Sequence, residues 1–292
     1  MEYIIENEYL KVTVTTWGAQ VSSVIRKCDG VEHIWQADKA VWGFHGPILF
    51  PNCGKLVDGK LEAKGKVYEG SMHGFARDME HDFVDQTGDS LVLELCSNAE
   101  TLARFPYEFR LVSTFTLEND TLHHSLTVEN LDSDRRPFGI GYHPGYTVPF
   151  DDQHVATDYE LRFSELESPI CIDHLPAGLN HGNYYRLGAN IRSIPVDENL
   201  FANDSHCMVN LKSATLGLYE KGTGRAVVCN IAEFPYVLLW SKPGMPKFVC
   251  IEPWHSLPSA EGSSIKWEEK PAAAILNPGE AWSCTLSTSF VR

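Results

Sequence analysis

The chain has 292 residues, 43% of them hydrophobic, and a formal net charge of −15 at neutral pH. A chain this long can bury a substantial core, and β-sandwiches run past 200 residues as one unit. So acidic a balance argues against nucleic acid and against anionic membrane surfaces as partners.

The N-terminus, M-E-Y-I-I-E-N-E, carries acids where a secretory signal has a basic start and an apolar run. No stretch approaches the length of a membrane span. The eight cysteines, Cys28, Cys53, Cys96, Cys171, Cys207, Cys229, Cys250 and Cys284, include no C-x-x-C pair, which excludes the usual zinc-site spacings. Several lie in apolar runs, where a free thiol behaves as a small hydrophobe. The expectation is a cytoplasmic protein, monomeric or homodimeric, with residues 1–292 as one domain.

Leu10, Val12 and Val14 alternate with polar residues, the period-two signal of a half-buried strand. Trp17-Gly18-Ala19 turns the chain, and Val21–Ile25 resumes as strand. Gly43–Lys60 is rich in glycine and proline without a clear period, and is long enough for a functional loop. Leu91, Leu93 and Leu95 share one face of a strand. Ala99–Arg104 reads as a single helical turn stopped by Pro106. Phe109–Leu117 and Leu122–Val128 then make a hairpin around Glu118–Asp120. Thr215–Glu220 and Arg225–Ile231 flank G-T-G as a second hairpin. Tyr236–Trp240, Phe248–Ile251 and Trp282–Ser289 complete the strands. With no strong amphipathic helix, the fold class is all-β, a large antiparallel β-sandwich.

Three stretches carry candidate chemistry. In F-G-I-G-Y-H-P-G-Y, Phe138–Tyr146, Pro144 disfavours helix at the residue before it, so His143 should sit extended at a strand end. Glycines within a strand mark a bulge or a close approach. Taken alone, His143 reads more readily as a buried histidine capped by a hydrogen bond. In F-V-C-I-E-P-W-H, Phe248–His255, Glu252 follows an apolar strand directly. A carboxylate left poorly solvated there makes a useful general base, and an outward-bending, exposed glutamate is the alternative. Trp254 can pack as core or serve as a sugar-stacking platform. In S-M-H-G-F-A-R, Ser71–Arg77, His73 lies among Met, Gly and Phe, and Arg77 suits either a salt bridge or a substrate. No G-x-S-x-G elbow, H-E-x-x-H, P-loop or dinucleotide glycine pattern is present.

H-G-F-A-R at His73–Arg77, G-Y-H-P-G-Y at Gly141–Tyr146 and I-E-P-W at Ile251–Trp254, in that order, resemble the aldose 1-epimerase (galactose mutarotase) family, with the LacX-like bacterial branch as the nearest in pattern. F-P-N-C-G-K-L-V-D-G-K at Phe50–Lys60 resembles that family's glycine-rich substrate loop. The resemblance implies a sugar cleft open across one sheet, and neither metal nor cofactor. On the matching positions Glu252 takes the proton of the anomeric hydroxyl, His143 protonates the ring oxygen, and His73 hydrogen-bonds near that oxygen. Lys55 stands where many members have arginine, and it cannot make arginine's forked contact. Asp204, in L-F-A-N-D, is the nearest match to a further family aspartate.

Ring opening needs one proton acceptor and one donor on the same sugar, exchanging roles on closure. A carboxylate and an imidazole can supply both near neutral pH. The expected substrate is a free aldohexose. A hexose 6-phosphate would call for several cations, for which Lys55, Arg77 and Lys247 are the candidates. A carbohydrate-binding protein that has lost catalysis is the reading from another class.

Overall fold

A computed structural model of the protein describes residues 1–174, 178–270 and 274–292. Two large antiparallel sheets face each other. The first has nine strands, in the order Ile191–Pro195, Tyr159–Glu167, Thr215–Glu220, Ala226–Asn230, Ala281–Val291, Thr121–Asn130, Phe109–Glu118, Ser90–Cys96 and Asp82–Gln86. The second runs Tyr184–Arg186, Ile170–Ile172, His206–Val209, Tyr236–Trp240, Phe248–Trp254, Gly141–Tyr142 and Ile48–Leu49, with Gly145–Thr147 also paired to Phe248–Trp254. The N-terminal strands Glu2–Glu6, Leu10–Thr15, Gln20–Arg26 and Val31–Glu32 form a separate four-stranded sheet.

The nine-stranded sheet follows from simple alternation. Along Phe109–Glu118 every second residue is buried, from Phe109 through Leu111 and Phe115 to Leu117, and Thr121–Asn130 repeats the pattern. Because side chains alternate faces, one face of each strand enters the core and the other stays wetter. The turn between these strands is only Asn119-Asp120, with Asn119 at φ 52°, a left-handed conformation that asparagine tolerates. The short helix Ala99–Leu102 begins at Asn98, whose side chain accepts from the Glu100 and Thr101 N–H groups.

Side chains of the second sheet reach across to the first. The Tyr142 hydroxyl donates to the His124 carbonyl at 2.7 Å, and the Tyr146 hydroxyl lies 3.2 Å from Cys229 Sγ. Each phenol is fully buried, and the contact answers its one strong polar group. The second sheet is thereby pinned on its inner face, leaving its outer face to carry a cleft. No helix among the described residues is long and apolar enough to cross a membrane.

Candidate active site

The cleft is organised by a fault in the second sheet. Gly141 pairs with Trp254 and Gly145 with Cys250, which is one continuous antiparallel register. That register sets Tyr142 opposite Pro253, His143 opposite Glu252, and Pro144 opposite Ile251. The ladder nevertheless breaks between Tyr142 and Gly145. Two prolines account for it, since neither has an N–H to donate. His255, two residues beyond Pro253, donates to the Ile140 carbonyl at 2.9 Å, so the backbone nitrogen of Pro253 faces the same side. The Tyr142 carbonyl, deprived of that ladder donor, accepts instead from the Trp254 indole N–H at 3.2 Å.

His143 and Glu252 are therefore direct cross-strand neighbours on one face. His143 Nε2 lies 3.3 Å from Glu252 Oε2. The apolar run Phe248–Ile251 predicts a strand that ends at Ile251 and leaves Glu252 beyond it. The strand in fact continues through Glu252 and Pro253 to Trp254, and all seven residues are buried. Proline is tolerated there because its missing N–H falls in the gap opposite Tyr142. The glycines flanking His143 do mark close approaches, made by indole rings. A Cβ at Gly141 would lie 2.6 Å from Trp254 Cδ1, and one at Gly145 would lie 2.8 Å from a Trp42 ring carbon.

His73 reaches the pair from another direction. Its φ is 67°, a strained conformation for a residue with a Cβ, and Gly74 follows at 72°. A Cβ at Gly74 would be 2.0 Å from the Phe50 carbonyl oxygen, so only glycine fits. The His73 backbone N–H donates to the Gly54 carbonyl at 3.0 Å, and the Gly54 N–H donates to His73 Nδ1 at 3.1 Å. Accepting at Nδ1 fixes the tautomer, leaving the proton on Nε2. The His73 ring meets the rings of His143 and Trp254 edge-on, each at 5.5 Å between centroids.

These residues open on a cleft of about 490 Å³, within the range of small-molecule sites. Lys55, His73, Arg77, His143, Asp204, Glu252 and Trp254 all line it. So do Trp42, Phe44, Trp240, His174, Ser205 and Lys242, none of which stood out in the sequence. Lys247 is not among its lining residues. Trp42 stacks on the His143 ring at 5.0 Å and 28°, and Trp240 meets it edge-on. The Trp240 indole donates to Asp204 Oδ1 at 2.6 Å, and Asp204 itself sits at φ 74°. His174 Nε2 is 2.8 Å from the Ser205 hydroxyl. Arg77 lies over the Phe44 ring at 4.9 Å, with Nε 3.5 Å from Asp78.

Burial dominates the electrostatics. Glu252 is 1% exposed, and its carboxyl is held well above the usual range, first by desolvation and then by the like charge of Asp204. Desolvation pushes His143 down to about 3 and His73 well below the ordinary imidazole value. Burial disfavours charge on each partner of the pair. A single exchangeable proton between them keeps the pair neutral overall, whichever partner holds it. Glu252 Oε2 has no hydrogen-bond partner among the described residues. Two groups of three ligating side chains occur among those residues: His143, Cys250 and Glu252, and, away from the cleft, Asp151, His154 and Glu220. In the second group the Arg225 guanidinium already bonds to both carboxylates.

The two-sheet antiparallel sandwich is an architecture the chain shares with galactose mutarotase-like proteins. A galactose mutarotase related enzyme from Lactobacillus acidophilus has a solved structure that superposes with a TM-score of 0.94 at 28% identity, covering 99% of this chain and 97% of that one. A galactose mutarotase-like protein from Lactobacillus casei gives 0.91 at 29% identity over the whole of both chains. The sequence model of aldose 1-epimerase matches residues 1–289, and the chain belongs to that family. Protein LacX, plasmid form, of Lactococcus lactis subsp. lactis is 30% identical over 282 residues, 94% of each chain.

Proposed function

We propose that the protein is an aldose 1-epimerase acting on a free aldohexose, with Glu252 and His143 as its acid–base pair. The observation that carries this reading is their opposition across the broken ladder, 3.3 Å apart, buried, and lining one cleft. Glu252 takes the proton of the anomeric hydroxyl as His143 delivers one to the ring oxygen. The C1–O bond to the ring opens, the C1–C2 bond rotates, and closure from the other face returns both protons. The cycle starts from the form in which the shared proton has passed from Glu252 to His143, and a pair that is neutral overall suits it, since net charge need not change as the proton is relayed. His73 donates from Nε2 toward the ring oxygen, with its own orientation fixed by Gly54. Trp254 and the neighbouring indoles provide an apolar wall for a sugar face, while Lys55, Arg77 and Asp204 address hydroxyls.

The test is the rate of optical-rotation change of freshly dissolved α-glucose and α-galactose. Acceleration over the spontaneous rate is expected for at least one. Binding by calorimetry without acceleration would replace the enzyme with a carbohydrate-binding protein.

One observation favours a second substrate class. Lys242 joins Lys55 and Arg77 along the cleft, taking the place the sequence reading gave to Lys247 as the third cation. Arg77 is already engaged by Asp78, so the free hexose is expected to show the higher kcat/KM. A higher value for glucose 6-phosphate than for glucose would make the phosphorylated sugar the substrate.

A further inference from the structure

The pair His143–Glu252 has a third neighbour that the sugar chemistry does not use. Cys250 precedes Glu252 by two residues in the same strand, so its side chain falls on the same face. It is fully buried and does not line the cleft. One ligating atom each from His143, Cys250 and Glu252 lie within 4.8 Å of one another.

We propose that His143, Cys250 and Glu252 form a site for one thiophilic divalent cation of the zinc type, with a fourth position open to the cleft, and that occupancy shuts down sugar turnover. The donor set is an imidazole nitrogen, a thiol sulfur and a carboxylate oxygen, the combination that zinc takes from proteins. Bond lengths of about 2.0–2.2 Å to nitrogen and oxygen put tetrahedral neighbours about 3.3–3.5 Å apart. The distance from His143 Nε2 to Glu252 Oε2 is 3.3 Å. Oε2 has no hydrogen bond that a cation would have to displace. The other cluster makes the contrast, because Arg225 supplies the positive charge between Asp151 and Glu220. At the cleft no guanidinium or ammonium among the described residues intervenes, and with the three ligand atoms within 4.8 Å of one another the sulfur needs a shift of at most a little over an ångström to complete the set. Binding expels two protons to the buffer, the thiol proton and the one shared by His143 and Glu252.

Metal capture stands on geometry alone, whereas its effect on turnover rests on the roles proposed above for His143 and Glu252. The site is inhibitory, so it does not bring a metal into the reaction. It would couple sugar turnover to the free concentration of a soft cation.

The experiment titrates the full chain, first treated with a chelator, with Co²⁺ and then Zn²⁺. One Co²⁺ per chain with a thiolate-to-metal charge-transfer band, displaced by Zn²⁺, is expected. Cys250→Ser should lose the band and bind Zn²⁺ at least about tenfold more weakly. Its metal-free anomerisation rate should stay within about twofold of wild type, because Cys250 packs with Trp42 and Trp240 without lining the cleft itself and serine keeps nearly its shape. Cys28→Ser, at the exposed cysteine, should keep the band. If Cys250→Ser does not fold, Glu252→Gln judged on metal binding alone takes its place. A band that survives Cys250→Ser, or no stoichiometric binding, overturns the site. In wild type Zn²⁺ should lower kcat for sugar, reversibly with chelator. Metal bound at Cys250 without any effect on a measurable turnover overturns the inhibition. Metal bound at Cys250 in a protein that turns over no sugar upholds the site and removes the enzyme reading instead.

Discussion

The two sheets of the sandwich are built on opposite principles. In the nine-stranded sheet, Phe109–Glu118 pairs with Thr121–Asn130 in an unbroken ten-residue register, buried and partly exposed positions alternating throughout. In the other, Phe248–Trp254 is buried at every position and faces a strand interrupted at His143 and Pro144. The hairpin of the first sheet keeps its ladder intact and invests its apolar face in the core. The second sheet gives up ladder bonds at two prolines and buries a carboxyl whose Oε2 has no hydrogen bond among the described residues, while segments between its strands hold His73 and Asp204 in left-handed conformations. Such costs persist where surrounding structure enforces them, and the Tyr142 and Tyr146 contacts to the regular sheet are part of that enforcement.

Substitutions should separate the two regimes. The largest effect is expected at Glu252→Gln, which keeps shape but removes the proposed proton acceptor. Acid–base assistance is worth ~10²–10⁴-fold, so kcat should fall by that much with sugar affinity nearly retained. His143→Asn should be similarly impaired, and the double variant little worse than either single one. Polarimetry with calorimetry alongside measures both quantities. Turnover by Glu252→Gln within threefold of wild type would place the base elsewhere.

Next comes Leu111→Ala in the regular sheet, which leaves a cavity in the core. It should cost about 2–5 kcal/mol of stability while kcat per folded molecule stays unchanged. A matching loss of kcat in denaturant-free buffer would show that the sheets are less separable than their construction suggests.

Acid should act on both. Burial depresses His33, His81 and His255 to about 4, and His124 and His143 to about 3. Folded values below the unfolded 6.5 mean that the unfolded chain takes up protons first. Stability is then intact above 6.5 and lost as pH falls from there toward 3–4. Each histidine contributes up to about 1.4 kcal/mol per pH unit across that window. Glu252, with its value raised, works in the opposite direction and offsets one histidine. Urea melts at pH 7, 6 and 5 should show a falling midpoint, and a flat midpoint would contradict the neutral burial of these rings.

The smallest effect is expected at Trp240→Phe, which removes the indole donor to Asp204. A hydrogen bond of this kind is worth about 0.5–1.5 kcal/mol net, so KM should rise no more than about tenfold and stability should hardly move. A thermal-shift assay and initial rates on the same samples distinguish that from a folding defect.

By itself the sequence determined the all-β class, because alternation at Leu10–Val14, Leu91–Leu95 and Phe109–Leu117 depends only on the period of the strand. It also exposed His143 and Glu252 as candidates, since each interrupts an apolar run beside a proline, an anomaly visible locally. The hairpin at Asn119-Asp120 was legible for the same reason: its turn chemistry is contiguous in the chain. Glu252 at a strand end was the local reading of Pro253, and only the opposing gap at Pro144 shows why the strand goes on. That His143 and Glu252 are opposed, 109 positions apart in the chain, is a matter of register. Trp42, Trp240, His174, Ser205 and Lys242 carried no local signal, because a residue lining a cleft follows the same alternation as one lining a core. Which side of a strand meets solvent, and which distant strand lies beside it, is decided by the packing of the two sheets, and that decision made the cleft.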